Sequence, residues 1–476
     1  VEKLARGAER GSTLVMLPYV MDADAQRRLE AYLNGIGDVL GDPRRRASFA
    51  TYAMGLWGDG ERKSVEPIAA RACADPHRTD AEHQRLLHFL SNSAWSDHEV
   101  RRVATRHGID ALVAREPIVG WVIDDTGFLK QGTHSVGVQR QYTGSAGKIA
   151  NCQIGVSLSV ITPTEHLPID FDLYLPHSWA DDPARRREAR IPDDVQFQTK
   201  PALAIAQMRR AAVAGVPKGV VLADSAYGHS SPLRRTCREL GLPYAVGIMA
   251  TDRVYRLDRL GRRIGDPVAV EDFAVGLGRS YFRRTTWREG SKEKLWSYFA
   301  MERVVMVQGD GVEDREEVWL LMERERGKSA PTKYFVASLP PSATRKQVVR
   351  TVKERWRTER VYEDLKGELG LDHFEGRRFR GWYHHVSVAL CCFAFVVAER
   401  AGAFPPSARE EGRDGAHPRA TGAAFRRLVH HRTPRDRARG RHLASAVSPL
   451  PPSSDANPFT LETTCCSCRC AEENYS

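Results

Sequence analysis

The stretch WVIDDTGFLK, residues 121–130, sets two carboxylates side by side after an apolar run. Trp121, Val122 and Ile123 read as a buried strand. Successive strand side chains point to opposite faces, so Asp124 and Asp125 cannot share one task. A second strand-end carboxylate, Asp224, lies in VVLADSAYG, residues 220–228. Ligands collect at strand ends in α/β sheets, so neighbouring strands would let the two carboxylates hold one metal ion. Taken singly, either Asp is explained as well by a turn or a helix N-cap. The third candidate comes from RWRTERVYEDLKGELG, residues 355–370. Arg355, Glu359, Tyr362 and Lys366 fall within one helical stripe at about 100° per residue. Glu363 lies beside that stripe as the rival carboxylate. A solvent-facing ion-pair ladder would have the same spacing, but Trp356 and Tyr362 argue for packing against a sheet.

This set suits phosphodiester cleavage. Mg²⁺ takes hard oxygen ligands and keeps much of its water. Two such ions, roughly 3.5–4 Å apart, activate an attacking oxygen and stabilise the leaving one. Two Asp and one Glu supply the charge, and flanking Arg and Lys side chains hold the phosphate.

The elements that must position these residues divide the chain into five parts. Residues 1–116 are helical in pattern: ADAQRRLEAYLNGIGDVL carries Leu29, Tyr32, Leu33, Ile36 and Leu40 at helical spacing, and Ser96 with Glu99 marks a helix start. Between them, PRRRASFATYAMGLWGDGERKS reads either as a solvated helix face or as a surface that touches DNA. Residues 117–250 give three strands in succession and then alternate helix with strand, which implies an α/β sheet of mixed direction. Residues 251–340 are a strand-rich excursion, and residues 341–401 return to helix, ending in the apolar HHVSVALCCFAFVVAER. Residues 402–476 are rich in Arg, Pro, Ser and Ala without apolar periodicity and read as a disordered basic tail.

Lys and Arg number 71 against 60 Asp and Glu, a formal charge of +11, with pI near 9.3. That balance favours a polyanionic partner. No apolar run approaches the roughly 20 residues needed to cross a bilayer. Five scattered cysteines among nine suit a reduced, cytoplasmic setting. The crowded CCSCRC lacks the separated half-motifs of a zinc site. No phosphate-binding loop appears, so ATP use is not expected. Trp287, Trp296 and Trp319 are read as core residues, with stacking on an unpaired base as the alternative.

The block IDDTGFLKQGTHSVGVQRQYTGSAGKIANCQIGVSLSV resembles the IS701 family of bacterial insertion-sequence transposases, within the IS4-like DDE group. GLWGDGERKSVEPIAAR, QRLLHFLSNSAW, LADSAYG and RWRTERVYEDLKGELGLDHFEGRRFRGWYHH resemble further blocks of that family in the same order, over roughly residues 48–400. The resemblance implies an RNase H-like catalytic core with a β-rich insertion ahead of the helix that carries the last acid. It implies Asp125, Asp224 and Glu359 as catalytic metal ligands for two Mg²⁺ ions, with Mn²⁺ as a substitute. Asp125 is chosen because the family's first acid directly precedes a Thr, here Thr126, and Asp124 is left a supporting role. Of the family's tyrosine–arginine–glutamate–lysine signature, Arg355, Glu359 and Lys366 match. The tyrosine position falls on Val352, so its phosphate contact is lost or passes to Tyr362. Arg355, Lys366, Tyr362 and Lys148 are the expected DNA contacts, with His384 and His385 as weaker candidates. The implied activity is cleavage at terminal inverted repeats followed by strand transfer, by a homodimer synapsed on double-stranded DNA, in the cytoplasm at the nucleoid. A nuclease that cuts without integrating, or an inactive DNA-binding remnant, would share these acids.

Overall fold

The computed structural model describes residues 23–289, 293–307 and 316–403, all within one unit. The stretch CCSCRC and the rest of the expected tail from residue 404 onward lie outside the described residues. Five helices open the described chain: α1 (Ala23–Leu40), α2 (Pro43–Trp57), α3 (Val65–Ala72), α4 (Thr79–Ser91) and α5 (Asp97–Val113). Asp42 caps α2 by accepting from the Arg44 and Arg45 amides, and Ser96 caps α5 by accepting from the Glu99 amide. These caps satisfy N–H groups that a helix start leaves unpaired.

The strands are β1 (Gly120–Leu129), β2 (Gln139–Thr143), β3 (Lys148–Ile161), β4 (His166–Tyr174), β5 (Val220–Ala223), β6 (Tyr244–Ile248), β7 (Arg253–Leu257), β8 (Arg263–Ala269), β9 (Arg283–Glu289), β10 (Lys294–Met306), β11 (Glu317–Arg324) and β12 (Lys333–Ala337). Helices α6 (Lys200–Val213), α7 (Ser231–Glu239) and α8 (Val270–Leu277) interrupt them. After β12 come α9 (Arg345–Lys353), α10 (Arg357–Leu369) and α11 (Phe379–Ala403).

All twelve strands form one mixed sheet in the order β2-β3-β1-β5-β6-β12-β11-β10-β7-β8, with β4 also on β3 and β9 also on β10. Strands β4, β3 and β1 are antiparallel neighbours, and β1, β5 and β6 run parallel. This is the mixed α/β, RNase H-like core that the sequence implies. The strand-rich excursion does not form a separate sheet. Strand β12 pairs with β6, and β11, β10 and β7 extend the core sheet outward from it.

Helix α9 covers one face of the sheet. Its Val348, Val349 and Val352 share an apolar cluster with Val122, Leu222, Ala245, Phe299 and Leu321. Each fully buried aliphatic side chain of this kind stabilises the fold by roughly 1.5–3 kcal/mol. Helix α6 covers the opposite face, where Met208 is buried and the Gln207 amide donates to the Val156 carbonyl at 2.9 Å.

The helical pattern expected to run unbroken through RWRTER is interrupted. A 3₁₀ turn, Glu354–Trp356, separates α9 from α10 and carries Arg355. The break lets α9 pack on the sheet while α10 turns toward α11. Gly370, in the left-handed conformation at φ 63°, ends α10.

Helix α11 corrects one expectation. By length and composition it is apolar enough to cross a membrane, yet nearly all of it is buried inside the protein. The N-terminal helices share its core: Tyr32 Oη donates to the Cys391 carbonyl at 2.7 Å, Trp57 Nε1 to the Cys392 carbonyl at 3.2 Å, and Arg28 pairs with Glu399.

Candidate active site

Strands β1 and β5 pair in parallel, with Val122 opposite Leu222. Two residues further along each chain, past the last paired position, come Asp124 in the middle of β1 and Asp224 directly after β5. Asp224 also caps the short helix Ser225–Gly228 by accepting from the Ala226 amide. Chain packing around it is close. A Cβ on Gly247 of β6 would meet the Ser225 nitrogen at 2.7 Å, so glycine is required there for steric reasons.

Alternation along β1 separates the two adjacent acids. Asp124 pairs with Ser157 of β3, whose Oγ shares a 2.6 Å hydrogen bond with Tyr362 Oη of α10. The Asp124 carboxylate accepts from Arg355 Nη1 at 2.6 Å and from the Asp125 amide at 2.9 Å. Asp125 points to the α6 face instead. It accepts from Lys200 Nζ at 3.2 Å and from Tyr227 Oη at 2.9 Å.

Burial is the main cause pushing Asp124 up to about 7. Asp224 and Asp125 add to the rise, while the Arg355 ion pair and the Asp125 amide oppose it. Burial works against the charged Arg355 guanidinium, but Asp124, Asp224 and Glu359 together hold it above its ordinary value. Glu359 is exposed on α10. Its rival Glu363 is turned to solvent and pairs with Arg360 at 3.6 Å. Arg355 is thus ion-paired with Asp124, and Asp224 and Glu359 add to the negative charge that acts on it. Asp125, the first acid expected from the Asp–Thr pair, leaves the strand on the other face, toward Lys200 and Tyr227.

Among the described residues, no three His, Cys, Asp or Glu side chains stand close enough to hold a metal ion together. The donor chemistry nevertheless fits a hard divalent cation. Neighbouring carboxylates raise the proton affinity of Asp124, and a cation among them relieves that repulsion. Arg355 supplies positive charge to this cluster and Lys200 supplies it to Asp125.

The other expected contacts divide. Lys148 is exposed at the start of β3. Lys366 Nζ donates to the Gly127 carbonyl at 2.7 Å and to Ser145 Oγ at 3.0 Å, so it ties α10 to β1 and to the β2–β3 turn. Tyr362 is corrected from a phosphate contact to a buried residue, its hydroxyl committed to Ser157. His384 stacks on Trp95 and bonds its carbonyl at 3.1 Å, and His385 lies between Tyr52 Oη and the Leu371 carbonyl. Both histidines are buried. Sequence reasoning passed over Lys200 and Tyr227. The signal for Tyr227 was its position three residues after Asp224, and for Lys200 the helix start TKP.

The sequence matches the family model described as DDE superfamily endonuclease over residues 36–294, more than half of the chain. It is also 28% identical over 232 residues to the "Probable transposase for insertion sequence element IS701" of Microchaete diplosiphon. That alignment takes in 48% of this chain and 56% of the relative, so the chain spans about half the length of the curated protein it matches. The family match contains Asp124, Asp125 and Asp224 and stops short of Glu359.

Proposed function

Because the chain belongs to the DDE superfamily of endonucleases, we propose that it is an insertion-sequence transposase that cuts DNA at the element's ends and joins them to target DNA. The observation that carries this reading is the ion pair of Asp124 on β1 with Arg355, beside Asp224 just past the adjacent parallel strand β5 and ahead of the helix that carries Glu359. Similarity to a probable transposase selects this activity from those open to DDE endonucleases.

Asp124, Asp224 and Glu359 would hold the divalent ions, Mg²⁺ by the chemistry of the donors and Mn²⁺ as a substitute. When bound, such ions supply Lewis-acid stabilisation of the phosphoryl oxygens and lower the pKa of water. The protein's own groups do the rest. Arg355 opposes the rise in the Asp124 pKa that burial causes and is positioned to pass to a phosphate once the cluster is neutralised. Asp125, with Lys200 and Tyr227, ties the middle of β1 to the start of α6 and to the short helix after Asp224. The Asp–Thr pair, which points to Asp125 as the first acid, is the alternative assignment. Lys366 orders the β2–β3 turn beside β1, and Lys148 at that turn is available to the DNA backbone. The helical N-terminal region binds the terminal repeats, and two copies synapse the ends.

The test is cleavage of a plasmid that carries the element's own ends, with Mg²⁺ or Mn²⁺, by wild type, Asp124→Asn, Asp125→Asn and Glu359→Gln. Nicking and end joining by wild type, both lost in Asp124→Asn and Glu359→Gln, support the reading. Loss in Asp125→Asn with activity kept in Asp124→Asn moves the first acid to Asp125. Cleavage without joining makes the protein a nuclease, and binding without cleavage makes it a DNA-binding remnant.

A further inference from the structure

The β2–β3 hairpin stands beside the acids, on the side of β1 away from the sheet extension. In the sheet order β2 and β3 lie on one side of β1, and β5, β6 and the extension lie on the other. The hairpin packs on β1 at Gly127, where a Cβ would overlap the Thr143 side chain. Its turn is fastened there. Ser145 Oγ lies 3.2 Å from both Thr126 Oγ1 and the Gly127 amide, and Lys366 Nζ donates to it at 3.0 Å. Thr126 is two residues past Asp124, about 7 Å along the strand. DNA seated on the acids therefore has this turn as a neighbour.

The surface of the hairpin suits such a neighbour. Residues 126–164 contain no Asp or Glu, where the chain's average of 60 acids in 476 residues would place about five. Arg140 and Lys148 are exposed, and neither meets a carboxylate among the described residues. Exposed arginines elsewhere are paired, Arg102 with Glu99 at 2.8 Å and Arg209 with Glu239 at 3.4 Å. Tyr142 stands opposite Ile149 in the hairpin, and the two are 65% and 59% exposed. One exposed apolar side chain is ordinary. Two set opposite one another, beside two cations without counter-charges, make a surface that fits sugars flanked by phosphates.

We propose that the β2–β3 hairpin docks the target duplex, with Arg140 and Lys148 on its phosphates and Tyr142 and Ile149 against its sugars. The proposal rests on the reading of the protein as a transposase and adds where the second DNA lies. End joining brings two DNAs to one set of acids, and the element's end is already bound when the target arrives. The target therefore needs a side of the acids that the end leaves open. Contacts to phosphate and sugar position a duplex without reading its sequence. That suits a DNA chosen anew at each insertion better than it suits the element's own end, which must be told from all other DNA.

The experiment uses the full chain, pre-cut ends of the element and a separately labelled target plasmid, with Mg²⁺. Benzoylphenylalanine in place of Tyr142 is expected to cross-link to the target strands and not to the ends. The triple variant Arg140→Ala, Tyr142→Ser, Ile149→Ser changes exposed side chains alone. It should nick a plasmid that carries the ends as wild type does. For half-maximal joining it should need about tenfold more target, with the rate at saturating target kept. Arg140→Ala alone should make the salt dependence of that half-maximal concentration, log against log, shallower by about 1. Cross-links confined to the ends, or joining by the triple variant at the wild-type target concentration, overturn the proposal. So does nicking that falls together with joining, since that puts the hairpin in the cleavage step. Wild type that nicks but joins no target removes the transposase reading and this surface with it. Wild type and triple variant that join equally well remove this surface alone.

Discussion

Asp124 and Arg355, 231 residues apart in the chain, form an ion pair at 2.6 Å. The pair joins the middle of β1 to the 3₁₀ turn ahead of α10, the helix that carries Glu359. Arg355 is the main force opposing the rise in the Asp124 pKa. Replacing it by Gln should therefore move that pKa further upward. The acid limb of the nicking profile should shift to higher pH, and activity near neutrality should fall on the order of 10²-fold, as when one transition-state cation or donor is lost. Arg355→Lys keeps a charge but not the fork, and should restore part of the rate. Nicking rates across pH 6–9 decide this: an unshifted acid limb in Arg355→Gln would separate Arg355 from Asp124.

Tyr362 gives a contrasting prediction. Its hydroxyl bonds Ser157 at 2.6 Å inside the protein. Tyr362→Phe leaves Ser157 without that partner and should cost about 1–2 kcal/mol of stability. Because the ring stays and touches no substrate, plasmid nicking should be unchanged. Denaturant midpoints measured beside nicking rates test this. A large loss of rate with unchanged stability would return Tyr362 to the DNA surface.

These two residues mark how far the sequence could be read. The apolar run before Asp124 is a strand signal, and alternation alone says that Asp124 and Asp125 serve different faces. It does not say which face meets the last helix. That is settled by the pairing of β1 with β3 and β5 and by contacts from residues more than 200 positions away. The stripe from Arg355 to Lys366 reads as one helix because nothing in KERWRT is a breaker, no Gly and no Pro. The 3₁₀ turn arises from packing, since α9 and α10 have different partners. Likewise, alternation shows strands in residues 251–340, but edge pairing with β6 makes them part of the core sheet, and that choice is non-local. Helical spacing alone does not show that the Tyr362 hydroxyl is taken up by Ser157 of β3, 205 residues away.

Three buried histidines make stability pH-dependent. Burial pushes His166 down to about 3, and His384 and His385 each down to about 4. Unfolding returns them to an ordinary value near 6.5. In the window between these values, the unfolded chain binds more protons than the folded one, so stability rises with pH. Their contribution is fully present above about 6.5 and is lost as pH falls toward 4, at up to about 1.4 kcal/mol per pH unit for each histidine. Urea midpoints at pH 7, 5.5 and 4.5 should decrease in that order. His385→Gln should flatten the trend, and an unchanged slope in that variant would show that His385 is not held neutral.

Gly247 tests the placement of Asp224 without touching a charge. A methyl group there would meet the Ser225 nitrogen at 2.7 Å and the Asp224 carbonyl carbon at 3.0 Å. Both are backbone atoms, so the clash is relieved only by moving the loop that carries the carboxylate. Overpacking of this kind costs about 1–3 kcal/mol, and a shift of about 1 Å at a reacting group can cost on the order of 10²-fold in rate. Gly247→Ala should therefore lower nicking by more than its loss of stability explains. Gly132→Ala is the control, since a Cβ there meets nothing within 4 Å, and it should leave both properties unchanged. If Gly247→Ala folds and nicks as the wild type does, the position of Asp224 does not depend on this contact, and the placement of Asp224 beside Asp124 loses its role in the cleavage site.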